Sequence, residues 1–181
     1  MLNNKIPFLY FDKIENIDYK YLKDLGIKGL IFDLDNTIIC PNVELIPNNI
    51  IQFLKNLEKQ FKIVIMTNNS KYRMETANQG IFNCISKAQK PSRTAFFKAN
   101  KILELKKNEI VIIGDQIQSD IKLANNCGIR SILVNPIDIK TDTFFTKFNR
   151  FFEMRFLQYI KKNHPVIFEK YFENFYKSII K

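Results

Sequence analysis

The sequence predicts an α/β fold: a five-stranded parallel sheet held between layers of helices. Three observations predict it. From residue 28 onward short β-branched apolar runs alternate with longer amphipathic stretches, the pattern of βα units. Acidic, hydroxyl and basic residues gather directly after several of those runs, where a parallel sheet opens its ligand crevice. The length of 181 residues, with 46% hydrophobic residues, suits one domain with a modest extension.

The elements follow in chain order. Residues 1–27 precede the first strand, carry a short helical segment at 19–25 closed by Gly26, and are expected to pad the sheet edge. Residues 29–34, 62–66, 82–86, 110–113 and 130–134 read as the five strands. Between them, 47–59, 70–78, 92–105 and 118–127 read as helices, with Gly128 placed as a C-terminal stop. Beyond Asn135 and Pro136 the composition changes, for half of the aromatic residues fall between Phe144 and Tyr176. Phe145, Phe148, Phe152, Phe156 and Tyr159 share one helical stripe. After a break at His164 and Pro165, so do Phe168, Tyr171 or Phe172, Phe175 and Ile179. The expected organisation is an edge segment at 1–27, a core at 28–140 and a tail of two amphipathic helices at 141–181.

A net charge of +10 invites polyanion binding, by RNA or an anionic membrane surface. Only five of the 28 basic residues are arginine, however, and the chain is rich in Lys, Asn, Ile and Phe together, a bias that AT-rich coding alone produces. Cys40, Cys84 and Cys127 form no CxxC pair, which argues against a disulfide framework or a thiolate zinc site and suits a reducing cytosol. The apolar patch at 6–11 is too short for a signal-peptide core, and no apolar run reaches the length of a membrane span. His164, the single histidine, reads as an exposed linker residue.

Four motifs carry chemistry. Asp33 and Asp35, in the run DLDNT, lie on one face of a strand end and can converge on a divalent cation or a phosphoryl group. Thr67 and Asn68, in MTNNS, place a hydroxyl, an amide and nearby N–H groups at the end of the next strand. Lys90, in KAQKP, offers a charge to neutralise a transferring phosphate. Asp115 and Asp120, in GDQIQSD, follow a glycine that permits a tight exit into a helix. Each has a plain structural reading in isolation: turn, strand cap, solvated lysine, or carboxylate favoured by a helix dipole. Their joint order is what distinguishes them.

That order resembles the four motifs of the haloacid dehalogenase (HAD) superfamily, over residues 28–134. The resemblance implies a Rossmann-like three-layer sandwich and a Mg²⁺-dependent phosphatase. It makes Asp33 the nucleophile and Asp35 the acid that protonates the leaving oxygen and then activates water. Thr67 and Asn68 would bind the phosphate, and Lys90 would brace it. Asp33, the backbone carbonyl of Asp35, and Asp115 would hold the metal, with Asp120 in support. Thirty positions separate Thr37 from Thr67 and twenty-three separate Thr67 from Lys90, so neither gap admits an inserted cap domain. The site is expected to be open, to a phosphate borne on something large.

Within the superfamily the chain is similar to the YqeG type of subfamily IIIA, on DLDNT, the Lys-Pro pair, GDQ with a hydroxyl residue before the last Asp, and TDTFFTKFNR after the final strand. This branch includes proteins similar to mitochondrial phosphatidylglycerophosphatases, which implies a lipid headgroup phosphate as substrate. Ser119 stands where the branch usually has Thr. The expectation is a cytoplasmic hydrolase, peripheral at the inner membrane face if 141–181 lies on lipid; that tail can equally pack on the core or dimerise. The alternatives are a HAD-fold adaptor that binds RNA or a ribosome-associated partner, and a phosphatase of nucleotides or sugars.

Overall fold

The computed structural model describes residues 3–180; Met1 and Leu2 of the N-terminal segment and Lys181 of the tail lie outside the described residues. Six strands, all paired in parallel, form one sheet. They are β1 (Leu9–Phe11), β2 (Gly29–Phe32), β3 (Lys62–Met66), β4 (Cys84–Ile85), β5 (Ile110–Gly114) and β6 (Arg130–Val134), in the spatial order β1-β6-β5-β2-β3-β4. The expected sheet had five strands. The sixth is β1, which joins β6 at one edge with Phe11 opposite Val134. Three residues are too few to show a period of two, so its pairing is decided by the neighbouring strand and not by its own pattern.

The central strands are apolar on both sides because helices cover both faces. Leu30, Phe32, Ile63, Ile65, Val111 and Ile113 pack with residues of α1 (Tyr19–Asp24), α2 (Asn48–Glu58) and α3 (Lys71–Asn78). The alternate residues Ile31, Val64, Met66 and Ile112 pack with α4 (Arg93–Leu103) and α5 (Lys122–Cys127). The helix starts are written in the sequence: Asp18, Ser70 and Ser92 each accept a first-turn N–H, a cap worth about 1 kcal/mol. One expected helix departs from its reading. Residues 118–127 do not run as a single α-helix; Ile117–Ile121 form a π-helical turn and only Lys122–Cys127 are α-helical.

The tail contains three helices, α6 (Phe144–Asn163), α7 (Pro165–Tyr171) and α8 (Glu173–Ile179), because the second expected helix breaks at Phe172. Leu157, Ile160, Phe168, Phe172, Phe175 and Ile179 form a third core with Ile117, Ile121 and Leu133. The stripe expected for the first tail helix is not its buried face. Phe145, Phe148, Phe152 and Tyr159 are exposed and Phe156 is half-buried, whereas Glu153, Leu157 and Ile160 are buried. A periodicity count of apolar residues passes over a face on which an arginine and a glutamate are drawn inward by ion pairs. No cap domain is inserted among the described residues, since only a loop and α2 separate β2 from β3, and only α3 separates β3 from β4.

Candidate active site

The site forms where β2, β3 and β5 end. Asp33 extends the ladder one residue past β2, its N–H donating to the Ile113 carbonyl at 2.9 Å. The chain then turns sharply through Asn36, whose φ of 63° is a left-handed conformation that asparagine tolerates. At the end of β3 the Thr67 N–H donates to the Ile85 carbonyl, and the Thr67 hydroxyl lies 3.3 Å from Asp35 Oδ2 and accepts the Asn69 N–H. Gly114 closes β5. A Cβ there would fall 2.4 Å from Cγ of Asp120, so only glycine lets Asp120 fold back over the strand end. The π-helical turn brings it there, and Asp120 Oδ2 accepts from Ser119 Oγ at 3.0 Å and from the Gln116 N–H at 3.2 Å.

Lys90 binds this arrangement together. Its ammonium group is 2.6 Å from Asp33 Oδ1, 2.7 Å from Asp120 Oδ1 and 3.2 Å from the Met66 carbonyl. Asn68 holds the Lys90 backbone on both sides, accepting its N–H at 2.7 Å and donating to its carbonyl at 3.0 Å. Asn68, expected to bind phosphate, therefore also sets the Lys90 loop. Burial works against the charge on Lys90, but Asp120 and Asp33 outweigh it and hold the ammonium above its ordinary pKa.

Asp35 is turned to different partners. Arg73 Nε and Nη2 donate to its Oδ1 at 3.1 and 3.0 Å, and the same guanidinium reaches the Cys40 and Glu44 carbonyls. The Asp35 carboxylate thus stands apart from the other acids, each of which offers one oxygen to a cluster: those of Asp33, Asp115 and Asp120 lie within 4.8 Å of one another.

Asp115 accepts from Thr37 Oγ1 at 3.2 Å and, on its other oxygen, from Arg150 Nη2. Arg150 comes from α6. Its Nη1 donates to the Asp115 carbonyl at 2.8 Å and to Glu153 Oε2 at 3.1 Å, and its Nε donates to Asp142 Oδ2 at 3.1 Å. Asn36 Nδ2 supports Asp142 at 2.5 Å. Reading the motifs missed Arg150, Asp142, Glu153 and Arg73. Asp142 and Arg150 do stand in the TDTFFTKFNR segment, but nothing in its local pattern shows that an arginine returns to a strand end 35 positions earlier.

Two cations, the buried Lys90 and the partly buried Arg150, face five buried carboxylates: Asp33, Asp115, Asp120, Asp142 and Glu153. The excess shows in the acids. Burial raises Asp33 well above the usual carboxylate range, Lys90 opposes it, and Asp120 and Asp115 add to it. Burial likewise lifts Asp115 to about 6 and Glu153 to about 7, against the pull of Arg150. A hard divalent cation among three carboxylates relieves this excess, and all-oxygen donors are the set that Mg²⁺ prefers. The residues present fit such an ion.

The cluster opens into a cavity of about 470 Å³ lined by Asp33, Asp35, Thr67 and Lys90 together with Phe145 and Phe148 of α6. A family model described as mitochondrial PGP phosphatase matches residues 2–138. The chain belongs to this family. Its similarity to "Probable phosphatase YqeG" of Bacillus subtilis is 35% identity over 169 residues, 91% of this chain and 96% of that one. It is 25% identical over 165 residues to phosphatidylglycerophosphate phosphatase 1, chloroplastic/mitochondrial, of Arabidopsis thaliana, covering 84% of this chain and 47% of the plant protein. The fold is shared with the HAD-hydrolase YfnB of Bacillus subtilis, solved with magnesium bound, at a TM-score of 0.54 and 15% identity over 65% of this chain and 92% of that one. The PGP phosphatase family member described here is thus a HAD-fold phosphatase, and its motif residues meet at one site. No helix among the described residues is long and apolar enough to cross a membrane.

Proposed function

We propose that the protein is a Mg²⁺-dependent phosphomonoesterase that works through an aspartyl-phosphate on Asp33 and acts on a lipid headgroup phosphate such as phosphatidylglycerophosphate. The observation that carries the reading is the Asp33, Asp115 and Asp120 cluster, braced by Lys90 and opening into a cavity walled by exposed phenylalanines. A phosphate on a diacyl lipid requires both parts, an electrostatic clamp for the headgroup and an apolar rim facing the membrane.

Asp33, the Asp35 backbone carbonyl and Asp115 would hold the metal, with Asp120 fixed beside them by Lys90. Bound there, Mg²⁺ supplies positive charge to the phosphoryl oxygens and keeps the buried carboxylates ionised. Asp33 has one oxygen held by Lys90 and by the Leu34 N–H; its other oxygen attacks phosphorus. As the new O–P bond forms, the ester O–P bond breaks, and Asp35 gives its proton to the departing alkoxide. Asp35 then takes a proton from water, the resulting hydroxide attacks phosphorus, and the Asp33–phosphorus bond breaks to release inorganic phosphate. Thr67 and Asn68 bind phosphate oxygens, and Lys90 offsets the charge that develops on them.

Peripheral contact with the membrane through the tail is part of the reading. Phe144 and Phe145 are each 80% exposed on α6, with Phe148, Phe151 and Phe152 beside them and Lys147 and Arg155 on the same helix. Aromatic rings with interspersed cations match an anionic bilayer surface.

The test is phosphate release, with and without Mg²⁺, from phosphatidylglycerophosphate vesicles, an aryl phosphate and a nucleotide panel. Wild type is compared with Asp33→Asn. Lipid turnover that disappears in the variant is the expected result. Turnover of the small esters alone would keep the mechanism and discard the lipid, and no release from any substrate would turn attention to an RNA-binding or ribosome-associated adaptor.

A further inference from the structure

We propose that Arg150 is a positioning residue for the metal ligand Asp115, so that the tail helix α6, which lies beyond the residues matched by the family model, completes the metal site. This rests on the reading of Asp115 as a ligand. Arg150 grips Asp115 twice, by Nη2 to the carboxylate and by Nη1 to the backbone carbonyl. The guanidinium is itself fixed from two other sides, by Asp142 through Nε and by Glu153 through Nη1. Asp142 is anchored in turn by Asn36 Nδ2, and Glu153 by the Gln118 N–H at 3.0 Å. The chain of contacts therefore closes on both sides of the cluster: Asn36 lies in the motif of Asp33 and Asp35, and Gln118 in the motif of Asp115 and Asp120.

A carboxylate free to rotate presents either oxygen to an ion. With one oxygen committed to a guanidinium, Asp115 presents only Oδ1, which Thr37 orients at 3.2 Å. Partners that orient a ligand in this way commonly contribute 10–100-fold to metal affinity. Lysine at position 150 would keep the positive charge but not the planar fork, and so separates orientation from charge.

The experiment compares Mn²⁺ binding to wild type and Arg150→Lys by electron paramagnetic resonance, with Mg²⁺ as competitor and a thermal melt of each protein. The expected result is roughly tenfold or greater weakening of Kd in the variant. An unchanged or tighter Kd overturns the proposal, even if the melting temperature falls, because a purely structural role moves only the melt. Wild type that binds neither ion overturns the metal reading together with this inference, which distinguishes the two failures. If Arg150→Lys does not fold, the wild type carries the test through its ¹⁵N-labelled arginine side chains. The Arg150 Nε resonance must shift on Mg²⁺ addition by more than those of Arg93, Arg130 and Arg155. An equal or absent response overturns the proposal.

Discussion

At the scale of single residues, the site depends on close approaches that leave no room for a methyl group. Gly114→Ala would drive a Cβ into the Asp120 side chain, whose Cγ, Oδ2 and Cβ lie 2.4, 2.5 and 2.7 Å from that position. Asp120 would have to leave, and Lys90 would lose one of its two carboxylates. The expected outcome is a loss of about 1–3 kcal/mol in unfolding free energy, measured in urea, with phosphatase activity falling more than that loss accounts for. That Asp33, Asp35, Thr67, Lys90, Asp115 and Asp120 gather at one edge of the sheet was legible in the sequence because their motifs keep a fixed order along the βα units. Arg150 and Glu153 were not. Their partners are distant in sequence, and an arginine followed by two phenylalanines reads as the polar side of an amphipathic helix.

At the scale of elements, α6 has two working faces. One turns Arg150, Glu153, Leu157 and Ile160 inward; the other leaves a row of phenylalanines at the cavity mouth. Phe145→Ser with Phe148→Ser is expected to weaken co-sedimentation with anionic vesicles by roughly tenfold per residue. Because both side chains are exposed, the unfolding free energy should stay within about 0.5 kcal/mol. Equal sedimentation of variant and wild type would remove α6 from the membrane reading. The inner face makes a prediction in pH. Burial pushes Glu153 up to about 7 from an ordinary 4.5, so between those values the folded protein holds a proton that the unfolded chain has released. Stability from this group is therefore present at the acid end and lost as pH rises through 7. In chelator, the melting temperature should fall from pH 5 to pH 8, and Glu153→Gln should flatten the slope, by roughly 3 kcal/mol at most. The same element shows what amphipathic pattern left open in the tail: it gave the helical period, and the buried face of α6 was chosen by ion pairs that a hydrophobicity count does not contain.

At the scale of the whole molecule, two cores flank the sheet and a third lies under the tail helices, meeting the sheet through Leu133. The βα alternation made the first two legible. The third required knowing that Ile117 and Ile121, in the turn after β5, would be covered by residues some forty to sixty positions later. A divalent cation held by the acidic cluster should stabilise the entire fold, since it binds the native chain alone. At a hundredfold excess over Kd the gain is about 2.7 kcal/mol. Thermal scans in Mg²⁺ and in chelator should therefore differ for wild type and coincide for Asp115→Asn. Coincidence in the wild type would mean that the cluster holds no such ion.

The grip of α6 on Asp115 also has a meaning in time. A ribosome makes the chain from its N-terminus, so the carboxylates at 33, 115 and 120 emerge before the guanidinium at 150 that pairs with one of them. Until residue 150 is made, Lys90 is the one of these two cations available to those acids. A nascent chain can therefore form its sheet before its acidic pocket is complete, since the guanidinium that pairs with Asp115 is made after all six strands.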